Sequence, residues 1–335
     1  MNIGAVDLDR TVLVIAEIGN NHEGDVSLAE ELIGAAAEAG VQAVKFQTIF
    51  PERLVRPDQA ARLVQLRRFQ LTPDDHVRLA AAAARAGVMF LSTPFCIDAV
   101  ALLDPLVPAF KIASGDNNFV ALLEVVAATA KPVLLSTGMA EAADIVASKR
   151  VLERVWADQG VAPGAVLLHC VSAYPTPAAE ANLKAIAALA SLGARVGYSD
   201  HTLGIDAAVL AVALGARVIE KHFTDSKTRS SFRDHALSAD PREMSELVRR
   251  VREADAMLGD GVKRIMPSEV AATAVARRSA VAARDLPAGH VVTPADIDWL
   301  RPADGVPPGA ESQLIGRPLL AALCAGSRLG ASSVR

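Results

Sequence analysis

Short apolar runs alternate with longer amphipathic stretches from residue 12 to about residue 260. Eight runs have the length and β-branched content of strands: 12–19, 43–49, 88–95, 109–114, 132–138, 165–172, 195–201 and 218–224. Between them lie helical patterns such as 27–39 and 74–86. The first opens on a capping-box pattern, Ser27-x-x-Glu30, and stops at Gly40. Strands alternating with helices predict a parallel sheet. Eight such units fit a closed (β/α)8 barrel, which takes roughly 250 residues. An open doubly wound sheet is the other candidate, but no GxGxxG follows the first strand.

The strand ends favour the barrel. Each run begins apolar and finishes polar: AEIGNNH, VKFQT, LSTPF, KIASGD, LLSTG, HCVSAYPTP, YSDHT and EKHFT. Any strand must end in something polar, but here Glu, Lys, Gln and His lie within the runs. A barrel gathers all these ends on one face, where such folds keep their chemistry. After Arg277 the texture changes to short apolar pieces between Pro and Gly turns. The division this predicts is a barrel over residues 1–262, a linker helix over 263–276 and a small β-rich domain over 277–335.

Composition narrows the class. Half of the 335 residues are hydrophobic and the net charge is −4, with both signs interleaved. That excludes a nucleic-acid footprint and a polybasic membrane anchor. No apolar run reaches the ~18 residues of a bilayer span, and the first residues lack a signal-peptide pattern. Three cysteines, Cys96, Cys170 and Cys324, without CxxC spacing suit a reduced cytoplasm.

Strand alternation sorts the polar side chains. Ser199 shares parity with His201, Glu220 with His222, and Lys45 with Gln47. Two imidazoles at neighbouring strand ends, about 4.8 Å apart in strand spacing, can reach one divalent ion. Histidine with oxygen co-ligands suits Mn, Co, Zn or Fe better than Ca. Lys111, in an otherwise apolar strand, needs an anionic partner. That partner is either Glu17 or Glu220 in a salt bridge, or a phosphate or carboxylate of a substrate. Ser114, Ser172 and Ser199 add hydroxyl donors, and Glu17, Asp116 and Asp234 add carboxylates that can move protons.

These segments also carry a resemblance. VIAEIGNNHEGD, AVKFQT, FLSTPF, FKIASGD, LLSTGMA, LLHCVSAYPTP, VGYSDHTLG and VIEKHFT resemble, in order, the motifs of the sialic acid synthase family. ARRSAVAARDLPAG through LRPADG resembles that family's antifreeze-like (SAF) domain. The resemblance implies a (β/α)8 barrel that condenses phosphoenolpyruvate with an N-acyl amino-sugar aldehyde, releasing phosphate. It implies His201 and His222 as ligands of a divalent metal, Mn2+ first, with Mg2+ or Co2+ as alternatives. It implies Lys45, Gln47, Thr93, Lys111, Ser114 and Ser199 as phosphoenolpyruvate ligands, with Ser172 and Glu220 beside them. Glu17, Tyr174 and Asp234 match positions that contact the acceptor sugar. The family works as a domain-swapped homodimer in which Arg301 would reach the N-acyl group in the other subunit's barrel. Glu17, Asp116 and Asp234 are the candidate acid–base groups.

Three departures from the family's motifs stand out. Ser172 stands where the family has Asn, Asp116 where many members have Glu, and Arg229-Ser-Ser-Phe-Arg-Asp-His235 where it has a proline-rich PGPDH loop. The segment 51–69 is also short. Two competing readings are a class I aldolase using Lys111 or Lys221 as a Schiff base, and a non-catalytic glycan-binding protein.

Overall fold

A computed structural model describes residues 1–335 as two compact units, Met1–Gly259 and Asp260–Arg335. Eight parallel strands run through the first unit: β1 (Leu13–Gly19), β2 (Ala43–Thr48), β3 (Met89–Pro94), β4 (Phe110–Ile112), β5 (Val133–Ser136), β6 (Ala165–His169), β7 (Arg195–Asp200) and β8 (Val218–His222). Their order in the sheet is β3-β2-β1-β8-β7-β6-β5-β4. First and last strands pair, Glu220 opposite Ile15 and His222 opposite Glu17, as barrel closure requires. β3 and β4 approach within 8 Å without a hydrogen-bonded ladder between them. Each predicted strand is present, most of them shorter at the polar end, where the chain leaves the ladder to turn.

Alternation divides the strand residues into two cores. Outward residues such as Val14, Ile18, Phe46, Phe90, Phe110 and Leu135 pack beneath the helices. Inward residues Leu13, Ile15, Ala43, Leu91, Leu134, Leu168 and Val218 fill the lower barrel, and Ile3 and Leu8 from the N-terminal segment join them. Advancing two residues along each strand moves from this apolar layer to the polar one: Ile15 to Glu17, Ala43 to Lys45, Leu91 to Thr93, Val218 to Glu220.

Gly197 belongs to the inward set, and its lack of a side chain is needed there. A Cβ at that position would lie 2.5 Å from Leu168 Cδ2 and 2.6 Å from the Val218 carbonyl oxygen. Gly197→Ala is therefore expected to destabilise the barrel by about 1–3 kcal/mol through overpacking. Urea unfolding checks this; an unmoved midpoint would show that the barrel wall yields freely.

The first helix, Val26–Glu38, does not start with the predicted cap. Asp25 caps it, accepting from the backbone N–H groups of Ser27 and Leu28. An aspartate two residues earlier brings a full charge to the helix's positive end, which Ser27 cannot do. The next major helix, Pro73–Arg85, carries a complete capping box between Thr72 and Asp75.

In the second unit β9 (Ser279–Ala282) pairs antiparallel with β10 (Ile297–Leu300). Ala280, Val292, Val306, Leu314, Leu319 and Leu329 form its core. Asp296 is buried beside them. It accepts from Thr293 and Arg284 and pairs with His290, and these bonds hold its carboxyl well below the usual range. The stretch predicted as a linker, 263–276, falls within this unit and carries the short helix Val270–Ala276. No helix is long and apolar enough to cross a membrane.

Candidate active site

The polar layer opens into one cavity of about 1050 Å³. Its wall includes Glu17, Lys45, Gln47, Thr93, Lys111, Ser114, Ser172, Tyr174, Ser199, His201, Glu220, His222 and Asp234. These come from seven of the eight strands or the turns that follow them, brought together by closure alone. Two predicted site residues are absent from this wall. Asp116 sits at the end of the 3-10 turn Ser114–Asp116, where strand alternation no longer sets direction. Its carboxyl is pushed up to about 6 by burial. Arg301 is an exposed residue of the second unit. Lys221, one candidate Schiff-base lysine, is buried and also absent from the wall.

A compact ion cluster occupies the cavity floor. Lys45 Nζ lies 2.7 Å from Glu17 Oε2, 3.1 Å from Thr93 Oγ1 and 3.7 Å from Glu220 Oε2. Ser199 Oγ donates to Glu220 Oε1 at 2.8 Å, and Lys111 Nζ stands 3.6 Å from that oxygen. Gln47 Nε2 donates to Glu17 Oε1, and Asn20 Nδ2 donates to Gln47 Oε1. Two buried ammoniums and two buried carboxylates balance, which makes their joint burial tolerable. Lys111 is paired only loosely. Its one hydrogen bond, to the Ile112 carbonyl, is 3.4 Å long, so most of its donor capacity faces the cavity. Burial lowers its pKa, whereas the Lys45 pKa is raised because Glu17 and Glu220 overcome the burial penalty.

The two carboxylates differ. Burial pushes Glu17 up to about 7 against the attraction of Lys45, and the charge of Glu220 adds to the rise. For Glu220 burial acts upward too, but Lys111 and Lys45 outweigh it and bring it to about 2. The signs are opposite for stability. A carboxyl raised from 4.5 to about 7 favours the folded state at low pH, and that contribution is lost as pH rises through 7. One lowered from 4.5 to about 2 stabilises above 4.5 and loses its contribution as pH falls through 2. Glu17→Gln should therefore make the decline in melting temperature between pH 4.5 and 7 shallower, Asp116 and Asp234 still contributing with the same sign, while leaving the acid limb in place. Melting curves across that range decide it; an unchanged slope would assign the decline to other groups.

The two predicted metal ligands face each other, with ring centroids 5.4 Å apart. The Tyr174 ring packs 4.2 Å from His201 and lies edge-on to His222 at 6.0 Å. His201 Nδ1 is 2.8 Å from the Val171 carbonyl oxygen. A carbonyl only accepts, so Nδ1 carries the hydrogen and Nε2 a free lone pair. His222 Nδ1 is buried with no hydrogen-bond partner. Burial lowers the pKa of both rings, and for His222 the neighbouring His201 and Lys45 lower it further. Two neutral imidazoles, one held by a backbone carbonyl, fit a divalent metal ion. No third His, Cys, Asp or Glu stands with them to make a three-residue ligand group.

The outer end of the cavity was less legible in the sequence. Glu23 accepts from Arg68 at 2.8 Å and bonds His235 Nε2 at 3.2 Å, while His235 Nδ1 meets Thr224 Oγ1 at 2.8 Å. The helix Ala60–Phe69 adds Arg62, Gln65 and Arg68 to the wall. In the altered loop, Arg229 pairs with Asp225 and stays out of the cavity, whereas Arg233 lies 4.9 Å over the Tyr174 ring and 3.2 Å from Asp234. Burial raises the Asp234 carboxyl against the pull of Arg233. Phe232 packs edge-on to Phe69 at 4.9 Å. Sequence reasoning missed Asn20, Glu23, Arg68 and Cys170 in this wall. Asn20 and Glu23 follow Glu17 within GNNHEGD, so extending that strand end by one turn would have found them.

Comparison with known proteins agrees in both units. The NeuB family model matches residues 32–263, and the SAF domain model matches residues 277–335. The N,N'-diacetyllegionaminic acid synthase of Legionella pneumophila is 38% identical over 334 residues, 95% of this chain and 93% of its own length. The mouse N-acetylneuraminate-9-phosphate synthase is 35% identical over 311 residues, 88% of this chain and 84% of its own. A crystal structure of the N-acetylneuraminic acid synthetase of Leptospira borgpetersenii in complex with citrate has a TM-score of 0.75 and 33% identity, covering 80% of this chain and 93% of that one.

Proposed function

This chain belongs to the NeuB family of sialic-acid-synthase-type transferases and ends in an SAF domain, and from that premise we propose its reaction. It condenses phosphoenolpyruvate with the open-chain aldehyde of an N-acyl amino sugar, N-acetylmannosamine or a related hexosamine. The products are inorganic phosphate and a nine-carbon 2-keto acid. The observation that carries this reading is the convergence of two lysines and two neutral imidazoles on one cavity. Lysines suit a substrate bearing both phosphate and carboxylate, and neutral imidazoles suit a metal.

Lys45, Lys111, Gln47 and Thr93, with the hydroxyls of Ser114, Ser172 and Ser199, bind and orient phosphoenolpyruvate. Carbon 3 of its double bond forms the new bond to the aldehyde carbon, and the aldehyde oxygen takes up a proton. Water adds to the cation left at carbon 2, and the tetrahedral intermediate expels phosphate as its hydroxyl loses a proton. Glu17, whose carboxyl is pushed up to about 7, is suited to exchange these protons near neutral pH. Asp234, beside Tyr174 and Arg233, holds the acceptor hydroxyls. A divalent ion at His201 and His222, Mn2+ before Mg2+ or Co2+, supplies Lewis-acid polarisation of the aldehyde oxygen. Two subunits act as a domain-swapped homodimer, with Arg301 of one reaching the acceptor in the other.

Phosphate release should appear when the protein, Mn2+, phosphoenolpyruvate and a panel of amino sugars are combined. No release with any acceptor, together with borohydride trapping of pyruvate on Lys111, would reassign the site to a Schiff-base aldolase. Lys111→Ala tests the anion site by itself. Loss of a charged hydrogen bond costs about 1.5–3 kcal/mol, so phosphoenolpyruvate should bind at least about tenfold more weakly. Equal affinity in calorimetry would leave Lys111 as a partner of Glu220 alone.

A further inference from the structure

Asp200 and Lys221 form a buried ion pair behind the cavity wall. Lys221 Nζ lies 3.0 Å from Asp200 Oδ2, and both side chains are almost wholly buried, with relative exposures of 1% and 0%. Neither lines the cavity. The two residues are register partners on β7 and β8, and each immediately precedes one of the two imidazoles, His201 and His222. Alternation explains the arrangement: if the imidazoles face inward, the residues before them face the helices.

A buried ion pair needs a reason to be there. Apolar residues of similar volume in its place are often neutral or stabilising, and Tyr198, Ile219 and Phe223, which share its outward side of the chain, belong to the buried core cluster. The geometry supplies the reason. β7 ends at Asp200, and its last register pair with β8 is Asp200 with Lys221. His201 thus lies just beyond the ladder, where sheet hydrogen bonds no longer fix it against β8. The pair takes over at that point. Lys221 Nζ donates to the Thr202 carbonyl as well as to Asp200. Asp200 Oδ1 accepts from Thr202 N at 2.8 Å and Thr202 Oγ1 at 2.7 Å. The residue before His201 and the residue after it are therefore both tied to the side chain that precedes His222.

We propose that Asp200 and Lys221 are positioning residues that clasp the chain on either side of His201 and so fix its imidazole relative to that of His222 for a shared divalent ion. The inference rests on the metal reading given above. It assigns Lys221 a role on the outer face and removes it from covalent chemistry. Groups that orient metal ligands typically change metal affinity 10–100-fold when lost.

The test is Mn2+ binding to the metal-stripped full-length protein, followed by calorimetry and by the electron paramagnetic resonance of the bound ion. Asp200→Leu combined with Lys221→Met replaces the pair by apolar residues. Mn2+ should bind this protein about 10–100-fold more weakly, while its melting temperature stays near wild type. A merely structural pair would move the melting temperature and leave the affinity alone, and that result would overturn the proposal. Should the double variant fold poorly, Lys221→Arg keeps the charge and Thr202→Val removes one tie. Lys221→Arg should retain more Mn2+ affinity than Lys221→Met, and equal losses would also overturn it. Failure of the metal reading is separable. In that case wild type and His222→Ala bind Mn2+ alike, and the clasp has no ion to serve.

Discussion

Replacing His222 with alanine is expected to remove tight Mn2+ binding and to lower the rate of phosphate release by about a thousandfold or more. His222 is one of only two imidazoles in the cavity wall and stands 5.4 Å from the other, ring centre to ring centre. Its Nδ1 has no partner within the protein, so no internal hydrogen bond is lost there on truncation. The side chain already borders a cavity, so the lost volume merges with existing space and the fold should survive. What remains is one neutral imidazole, too few ligands to hold an ion against water. Lewis-acid polarisation of a carbonyl is worth several kcal/mol, and each 1.36 kcal/mol is a factor of ten in rate. Metal titration of the stripped variant and single-turnover phosphate release measure the two effects separately. Undiminished activity in metal-free wild-type protein would sink the idea, because the imidazoles would then have no ion to bind.

Arg301→Ala should be almost as damaging, and its loss should be repairable by mixing. Arg301 lies in the segment LRPADG of the SAF domain, exposed at the surface of that unit. Its guanidinium is always charged and offers a planar fork of donors suited to an amide carbonyl or a carboxylate. If it serves the barrel of the other subunit, a dimer of Arg301→Ala with His222→Ala contains one complete site. The barrel with intact His222 receives the intact arginine, while the second barrel has neither. Random exchange makes half the dimers mixed, so activity should return to about a quarter of wild type. Recovery from two inactive parents, with subunit exchange shown independently by mass or fluorescence, is the expected result. A mixture as inactive as its parents would place the arginine in its own chain's site or in none.

The fold was largely legible because its signals are local. Each strand announces itself by a short apolar run, and each run ends in residues that only a shared, solvated face could accommodate. Lys45, Lys111, Glu220, His201 and His222 stood out for the same reason: charged or titratable groups within apolar runs must have partners. Helix starts were less legible. Ser27 looked like a cap, but Asp25 takes the position, since two acceptors two residues apart compete and sequence spacing does not rank them.

The site's details lay further from reach. Nothing in the helix 60–69 marks Arg68 as a partner of Glu23, forty-five residues away, because a surface arginine looks alike whether it faces solvent or a cavity. Asp116 looked equivalent to Ser114 from its place in KIASGD, yet a single 3-10 turn separates it from the wall. Likewise Arg229 and Arg233 share one altered loop, and only Arg233 enters the cavity.

By itself, the sequence determined which residues would be buried, on which face of each strand they stand, and that the polar ends would share one mouth. These follow from side-chain alternation and the cost of burying charge, which act residue by residue. The tertiary structure alone decided which carboxylate is raised and which lowered. Glu17 faces one lysine and Glu220 lies between two, and that difference arises only when barrel closure brings β1, β2, β4 and β8 to a common centre, because Coulombic terms depend on distances that no local pattern encodes.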